Sequence, residues 1–295
     1  MSARVALVTA RGARDVDKDL PPLLAAFGAQ GARAQVAVWD DPQVDWRGFD
    51  VALLRSAWDY TERIGEFLAW VERTAAATRL INPPAVVRWN CDKHYLLDLK
   101  RAGLPIVPSD FIEPADDPAA HLEEFLARHG CTELVVKPAV GAGSRDARRH
   151  HSEARAEILA HIRPLLAAGR SVLVQPYLAS VDHHGETSLV YIGGSFSHAF
   201  RKGALLPLGA DATPELFATE EITARIPAAD ERAVGERVLA GIPFSDLLYA
   251  RIDLIRGAGD APCVLELEVT EPSLYFLHGA DSAHRLARAT LNRLS

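Results

Sequence analysis

Apolar and polar positions change period several times along the chain, and each change marks an element. A short apolar run at Val5 to Thr9 predicts a strand, apolar residues at helical spacing from Leu20 to Gln30 predict a helix, and Ala34 to Trp39 and Val51 to Leu54 again read as strands. A long amphipathic helix is expected from Thr61 to Thr78. Strand and helix in alternation predict a parallel βαβ sheet. Ligands of such sheets sit beyond the carboxyl ends of the strands, which places Arg11, Gly12 and the stretch RSAWDY, Arg55 to Tyr60, at the crevice. RSAWDY is therefore a candidate substrate loop.

Asn82-Pro83-Pro84 breaks this pattern, and a helix is expected from Asp92 to Ala102, closed by Gly103. The first unit is accordingly placed at residues 1–91. Then come a strand at Pro105 to Ile112, a helix at Pro118 to His129, the strand ELVVKP, the small-residue loop AVGAGSRDARR, a helix at Glu153 to Ala168 and the strand SVLVQPYL, a compact α+β unit at 92–178. Strands dominate the third unit, 179–295, where ETSLVYIGG and SFSHAFRKG form a hairpin about Gly193-Gly194. Gly203 to Thr213 reads as a loop, a helix covers Asp230 to Leu239, and LYARIDLIR and CVLELEV are joined by GAGDAP ahead of a last amphipathic helix, Ala283 to Leu294.

Composition narrows the class. Of 295 residues, 48% are hydrophobic and 24% charged, the balance of a globular protein, and no apolar run approaches the span of a bilayer. MSARVALVTARG lacks the basic and apolar regions of a secretory signal, so residence in the cytoplasm is expected. A net charge of -7 and the absence of a basic stripe argue against nucleic acid as a partner. Cys91, Cys131 and Cys263 have neither disulfide-framework nor zinc spacing. Five lysines stand against 27 arginines, so a lysine retained in an apolar strand carries information.

The last pair of strands carries the clearest chemistry. With the turn centred between Gly259 and Asp260, antiparallel register sets Asp253 opposite Glu266 and Arg251 opposite Glu268, all on one face. Ile252, Leu254, Leu265 and Leu267 fall on the other. An all-oxygen acidic cluster suits a hard cation such as Mg²⁺ bridging nucleotide phosphates, and an ordinary solvated sheet face is the alternative. Lys137 ends a Val-Val strand ahead of Gly141-Ala142-Gly143-Ser144-Arg145, a loop that either cradles phosphate with its backbone amides or is a surface turn. It matches neither a P-loop nor a dinucleotide fingerprint. Gln175, Pro176, Tyr177 and Leu178 leave a buried strand where the backbone could meet a purine edge or simply exit. His198, Arg201 and Lys202 could face an anion, although Arg201 and Lys202 alternate faces. His183-His184 lacks a third ligand at metal spacing.

Taken together and in order, Lys93, Lys137 in VVKP with its glycine loop, VQPY, the R-x-D of Arg251 and Asp253 and the E-x-E of Glu266 and Glu268 resemble an ATP-grasp ligase of the glutathione-synthetase and D-Ala-D-Ala-ligase branch. The resemblance implies an N-terminal Rossmann-like parallel-sheet domain, a small central α+β domain and a C-terminal antiparallel-sheet domain. It implies that Lys93 and Lys137 contact phosphates, that Gly141, Gly143 and Ser144 form a lid, that Gln175 to Leu178 hold adenine, and that Glu186 takes the ribose. Asp253, Glu266 and Glu268 would hold two Mg²⁺ ions, with Mn²⁺ as a substitute, and Arg251 would steady the transferring phosphoryl group beside Lys137. Glu268 departs from the family's usual Asn. RSAWDY, SHAFRKG and LELEVTEPSLYF further resemble a bacterial subgroup of cyclo-ligases acting on O-ureido-D-serine. That implies a small amino-acid-like substrate, with Arg11, Arg55, Trp58, Asp59, Tyr60, Arg201 and Lys202 as its candidate contacts and Arg55 and Asp59 at its amino-acid end. Joining of an amino acid to a separate amine stays open as the alternative reaction, and a homodimer stays open as the assembly.

Overall fold

A computed structural model describes residues 2–210 and 221–294. Its first sheet contains β1 (Arg4–Thr9), β2 (Arg33–Val38), β3 (Val51–Ser56) and β4 (Arg79–Ile81), all parallel in the order β2-β1-β3-β4, with α1 (Leu20–Ala29) and α2 (Ile64–Ala77) in the crossovers. Both faces are covered, which is why these strands read as unbroken apolar runs. Val5 and Leu7 point toward Leu23 and Phe27 of α1, while Ala6 and Val8 point toward Phe67 and Trp70 of α2. The proline pair does not halt regular structure. Pro84 opens α3 (Pro84–Asn90), because a helix's first turn has no use for the amide hydrogen that proline lacks. The following helix, α4 (Tyr95–Arg101), is shorter than expected and ends before Gly103, whose φ is +73°.

The second sheet is antiparallel, order β5-β8-β6-β7, from β5 (Asp110–Ile112), β6 (Glu133–Pro138), β7 (Arg148–His151) and β8 (Val172–Pro176), backed by α5 (Pro118–His129) and α6 (Arg155–Ala167). Leu134 and Val136 enter the core beneath the helices, so Val135 and Lys137 project from the opposite face. Strand β7 lies where the sequence suggested loop. Its RRHH carries no apolar signal, and it is held by pairing with β6 and by the Arg149–Glu133 ion pair across the two strands.

A short helix, α7 (Val181–His184), leads into the third sheet. This comprises β9 (Glu186–Ile192), β10 (Ser195–Lys202), β11 (Ile222–Ala224), β12 (Tyr249–Arg256) and β13 (Pro262–Glu268), order β11-β10-β9-β12-β13, with α8 (Ala229–Gly241) and α9 (Ser282–Asn292) outside it. Gly193 and Gly194, with φ of +59° and +77°, make the two-residue turn between β9 and β10. The expected loop at Gly203 to Thr213 has no regular element as far as residue 210, and its remainder lies outside the described residues. In the β12–β13 pair Arg251 faces Glu268 and Asp253 faces Glu266, the expected register. Beyond them the register slips by one, so that Leu254 faces Val264. Leu265 is the extra residue of this bulge, and it packs with Tyr177 and Leu178 instead of joining Ile252, Leu254 and Leu267 in the core.

The first sheet docks on the third through buried polar side chains. Asn82 bonds the backbone of Leu248, Tyr249 and Val269, and Asn90 bonds that of Leu267, Val269 and Thr270. The Asp19 carboxylate accepts the amide hydrogens of Leu274, Tyr275 and Phe276 at 2.6–3.0 Å, and Arg55 lies 3.8 Å from it while donating to Pro272 O at 2.8 Å. Among the described residues no helix is long and apolar enough to cross a membrane. Asp19→Ala is expected to destabilise the fold by about 3–5 kcal/mol, because three amides and a guanidinium lose a buried partner together. Urea denaturation measures this, and a loss below about 1 kcal/mol, the size of a surface pair, would count against the role.

Candidate active site

The three sheets enclose a cleft of about 1180 Å³, ample for a nucleotide and a small second ligand. Its walls follow from the elements above. Strand β6 presents Lys137, the turn before α4 presents Lys93, the loop from Gly141 to Ala147 covers one side, and the cleft face of β12 and β13 presents Arg251, Glu266 and Glu268. Asp253 lies beneath, 1% exposed.

Charge is tightly matched here. Lys93 Nζ is 3.0 Å from Glu266 Oε1 and donates to Gly141 O at 2.7 Å, which ties the glycine loop to the acidic hairpin. Lys202 Nζ sits 2.7 Å from Asp253 and 2.8 Å from Glu186, while Arg251 grips Asp253 at 3.0 Å and also contacts Glu268. Burial opposes the charge on Asp253 and Glu266, but Arg251 and Lys202 beside the first and the three lysines around the second outweigh it, so both carboxyls titrate well below their usual range. Burial wins at Glu268, whose carboxyl is pushed up. Lys137 differs from its neighbours. Among the described residues no carboxylate lies within 4 Å of its ammonium, and burial pushes its pKa down.

Among the described residues no three acidic, histidine or cysteine side chains are already gathered to hold a metal. The hairpin carboxylates are drawn instead onto Lys93, Lys202 and Arg251. The donor set still fits a hard divalent cation, since Asp253, Glu266 and Glu268 offer only oxygen and each already binds positive charge. The loop suits close approach to phosphate, because Gly143, Ser144 and Asp146 all have positive φ, at +63°, +61° and +58°. The far end of the cleft is apolar, lined by Val107, Tyr177, Leu178, Val181, Ile255 and Leu265. There Arg149 lies over the Tyr177 ring, 3.5 Å from its centroid, and Gln175 Nε2 is fixed by Ser109 Oγ at 2.9 Å.

The candidate substrate residues divide. Trp58 and Tyr60 line the cleft, as does Lys202. Four do not. Arg11 is exposed outside it, and Arg55 is fully buried between Pro272 O and Asp19. Asp59 turns back to accept from Trp39 Nε1 at 2.8 Å, and Arg201 leaves on the other face of β10 to donate to His184 O. His198 is likewise turned away, bonded to Leu274 O. Two cleft residues drew no notice in the sequence, Asp17 and Glu271, each 6% exposed. Burial pushes the Glu271 carboxyl up to about 7, and Tyr60 hydrogen-bonds it. An acid three residues beyond the end of β13, in a stretch without regular structure, gave no periodic signal.

Comparison with known proteins bears directly on this cleft. Residues 5–82 match the family described as D-cycloserine synthetase DcsG, N-terminal domain. The chain is 42% identical over 298 residues to the cycloserine biosynthesis protein DcsG of Streptomyces lavendulae, covering 98% of each. Its fold matches the crystal structure of D-cycloserine synthetase DcsG with a TM-score of 0.92 at 41% identity, over 99% of this chain and 100% of that one. A RimK domain ATP-grasp protein from Sphaerobacter thermophilus DSM 20745 has the same fold, with a TM-score of 0.68 at 20% identity over 97% and 99% of the two chains.

The raised Glu271 carboxyl has a measurable consequence for the protein without ligands. An acid whose folded pKa, about 7, exceeds its ordinary value of 4.5 binds its proton more tightly when folded, so its contribution is complete below 4.5 and is lost as pH rises through 7. Glu271→Gln stays neutral throughout. The stability difference between variant and wild type, from urea melts at stepped pH, is expected to move in the variant's favour across that interval, and a constant difference would contradict the buried, raised carboxyl.

Proposed function

Because the chain belongs to the DcsG family of ATP-grasp ligases, we propose that it activates the carboxylate of O-ureido-D-serine as an acyl phosphate and closes it to D-cycloserine. The observation that carries this reading is the cleft itself, where Lys137, without a carboxylate partner among the described residues, faces an acidic hairpin already saturated with lysine and arginine. A cation left over amid matched pairs is suited to an anionic ligand, and polyphosphate supplies one.

In this reading adenine lies at the apolar end against Pro176, Tyr177, Leu178 and Leu265, with Gln175 behind them and Glu186 at the ribose. Lys93 and Lys137 bind phosphate oxygens, and the amides of Gly141, Gly143 and Ser144 close over them. Asp253, Glu266 and Glu268 hold Mg²⁺, as two ions with Mn²⁺ as a substitute, which when bound supplies charge neutralisation along the phosphates. Arg251 steadies the transferring phosphoryl group and the acyl oxygen, and Trp58 and Tyr60 wall the substrate. The substrate carboxylate takes the γ-phosphoryl group and ADP is released. The amino-oxy nitrogen then attacks the acyl carbon, inorganic phosphate leaves, and hydrolytic loss of the carbamoyl group yields CO₂ and ammonia. No covalent nucleophile of the protein is needed. Positioning within one molecule and charge neutralisation supply the rate. The chain works in the cytoplasm.

Coupled ADP release with Mg-ATP, with product mass checked, tests the reading: turnover of O-ureido-D-serine alone with a cyclic product is expected. Turnover only on addition of an amine would move the activity to amide ligation. Lys137→Ala and Asp253→Asn are each expected to lower kcat/KM by at least about 100-fold with the fold retained. Near-normal turnover by either variant would remove its assigned role.

A further inference from the structure

We propose that Glu271, framed by Trp58 and Tyr60, is the binding site for the substrate's primary ammonium group and selects for an amino acid over the corresponding plain acid. This deepens the reading above and rests on it.

Three observations converge on this corner of the cleft. Glu271 is 6% exposed and lines the cavity, and among the described residues no cation stands within 4 Å of it, in contrast to Asp253, Glu266 and Glu268. A buried carboxyl without a counter-charge is incomplete until a cation or proton arrives. Second, it is held in place. Trp58 Nε1 donates to the Glu271 carbonyl at 3.1 Å, and the Tyr60 hydroxyl bonds its carboxyl. Both side chains also line the cleft, so two aromatic residues anchor Glu271 at the wall of the cavity.

The third observation is position. Glu271 follows Glu268 by three residues, a stretch that spans at most about 11 Å. The amino and carboxyl groups of an α-amino acid share one carbon, so an ammonium site must adjoin the site of carboxylate activation. Glu271 lines the same cavity as Arg251 and Glu268 and lies within that reach of Glu268. Arg55 and Asp59, the residues expected for this role, are spent on the protein's own contacts.

The test is calorimetry with Mg²⁺ and a non-hydrolysable ATP analogue present, comparing O-ureido-D-serine with its deaminated counterpart, 3-(ureidooxy)propanoate. The wild type is expected to bind the aminated compound about 10- to 100-fold more tightly, the scale of one charge-assisted hydrogen bond. In Glu271→Gln, which keeps shape and hydrogen bonding, the ratio is expected to collapse toward one with nucleotide affinity unchanged. Glu271→Asp, which keeps the charge, is expected to retain the preference. A wild type without preference, or a Gln variant that keeps it, overturns the proposal. So does a Gln variant whose binding ratio is intact while kcat falls and the acidic limb of the pH profile disappears, since Glu271 would then accept a proton. Turnover separates the two readings. Selective binding without cyclic product removes the reaction and leaves the site, whereas cyclisation without selectivity removes the site and leaves the reaction.

Discussion

The arrangement depends on how one irregular stretch of backbone is held. Between β13 and α9 the chain runs from Val269 to Phe276 without a strand partner, and its polar groups would be costly to bury unpaired. Asn90 and Asn82 bind its start, Arg55 its middle and Asp19 its end. Those four side chains come from the first unit of the chain, so the parallel sheet acts as a mould for a segment between 179 and 257 residues away. Glu268 and Glu271 flank the start of that segment, and their placement is set by these bonds.

Within the cleft the governing quantity is local charge balance. Asp253 and Glu266 are stabilised against burial by lysine and arginine, and those cations are drawn from different parts of the chain: Lys93 before α4, Lys202 at the end of β10, and Arg251 on β12. Such pairing holds these two acids ionised in a nearly dry site, which a hard cation requires of its ligands. It also gives Lys93 a second task. Through Gly141 O it fixes the root of the glycine loop to the same hairpin, so loop and acids form one unit.

How far the sequence revealed this depended on whether a residue's role was local. The parallel sheet was legible because strands covered on both faces must be apolar throughout, and the hairpin because GAGDAP fixed its register at Arg251 and Asp253. Strand β7 was invisible because its RRHH gains its conformation from the neighbour it pairs with. RSAWDY meets the cleft only through two of its six side chains, a division its sequence did not reveal. Trp58 and Tyr60 enter the cleft while Arg55 and Asp59 satisfy partners elsewhere, a division set by packing across the molecule. Glu271 was silent for the same reason, since its aromatic neighbours lie more than two hundred positions earlier.

The slip in register between Asp253 and Leu254 divides one hairpin into two independent tools. An unbroken ladder would alternate strictly, obliging Leu265 to enter the core if Glu266 faces the ligands. The dislocation lets adjacent residues face different ends of one cleft, Glu266 its charged wall and Leu265 its apolar end. Substitutions at the apolar end can therefore reshape that end without turning the acids out of phase, and the hairpin carries a modularity that an ideal sheet would forbid.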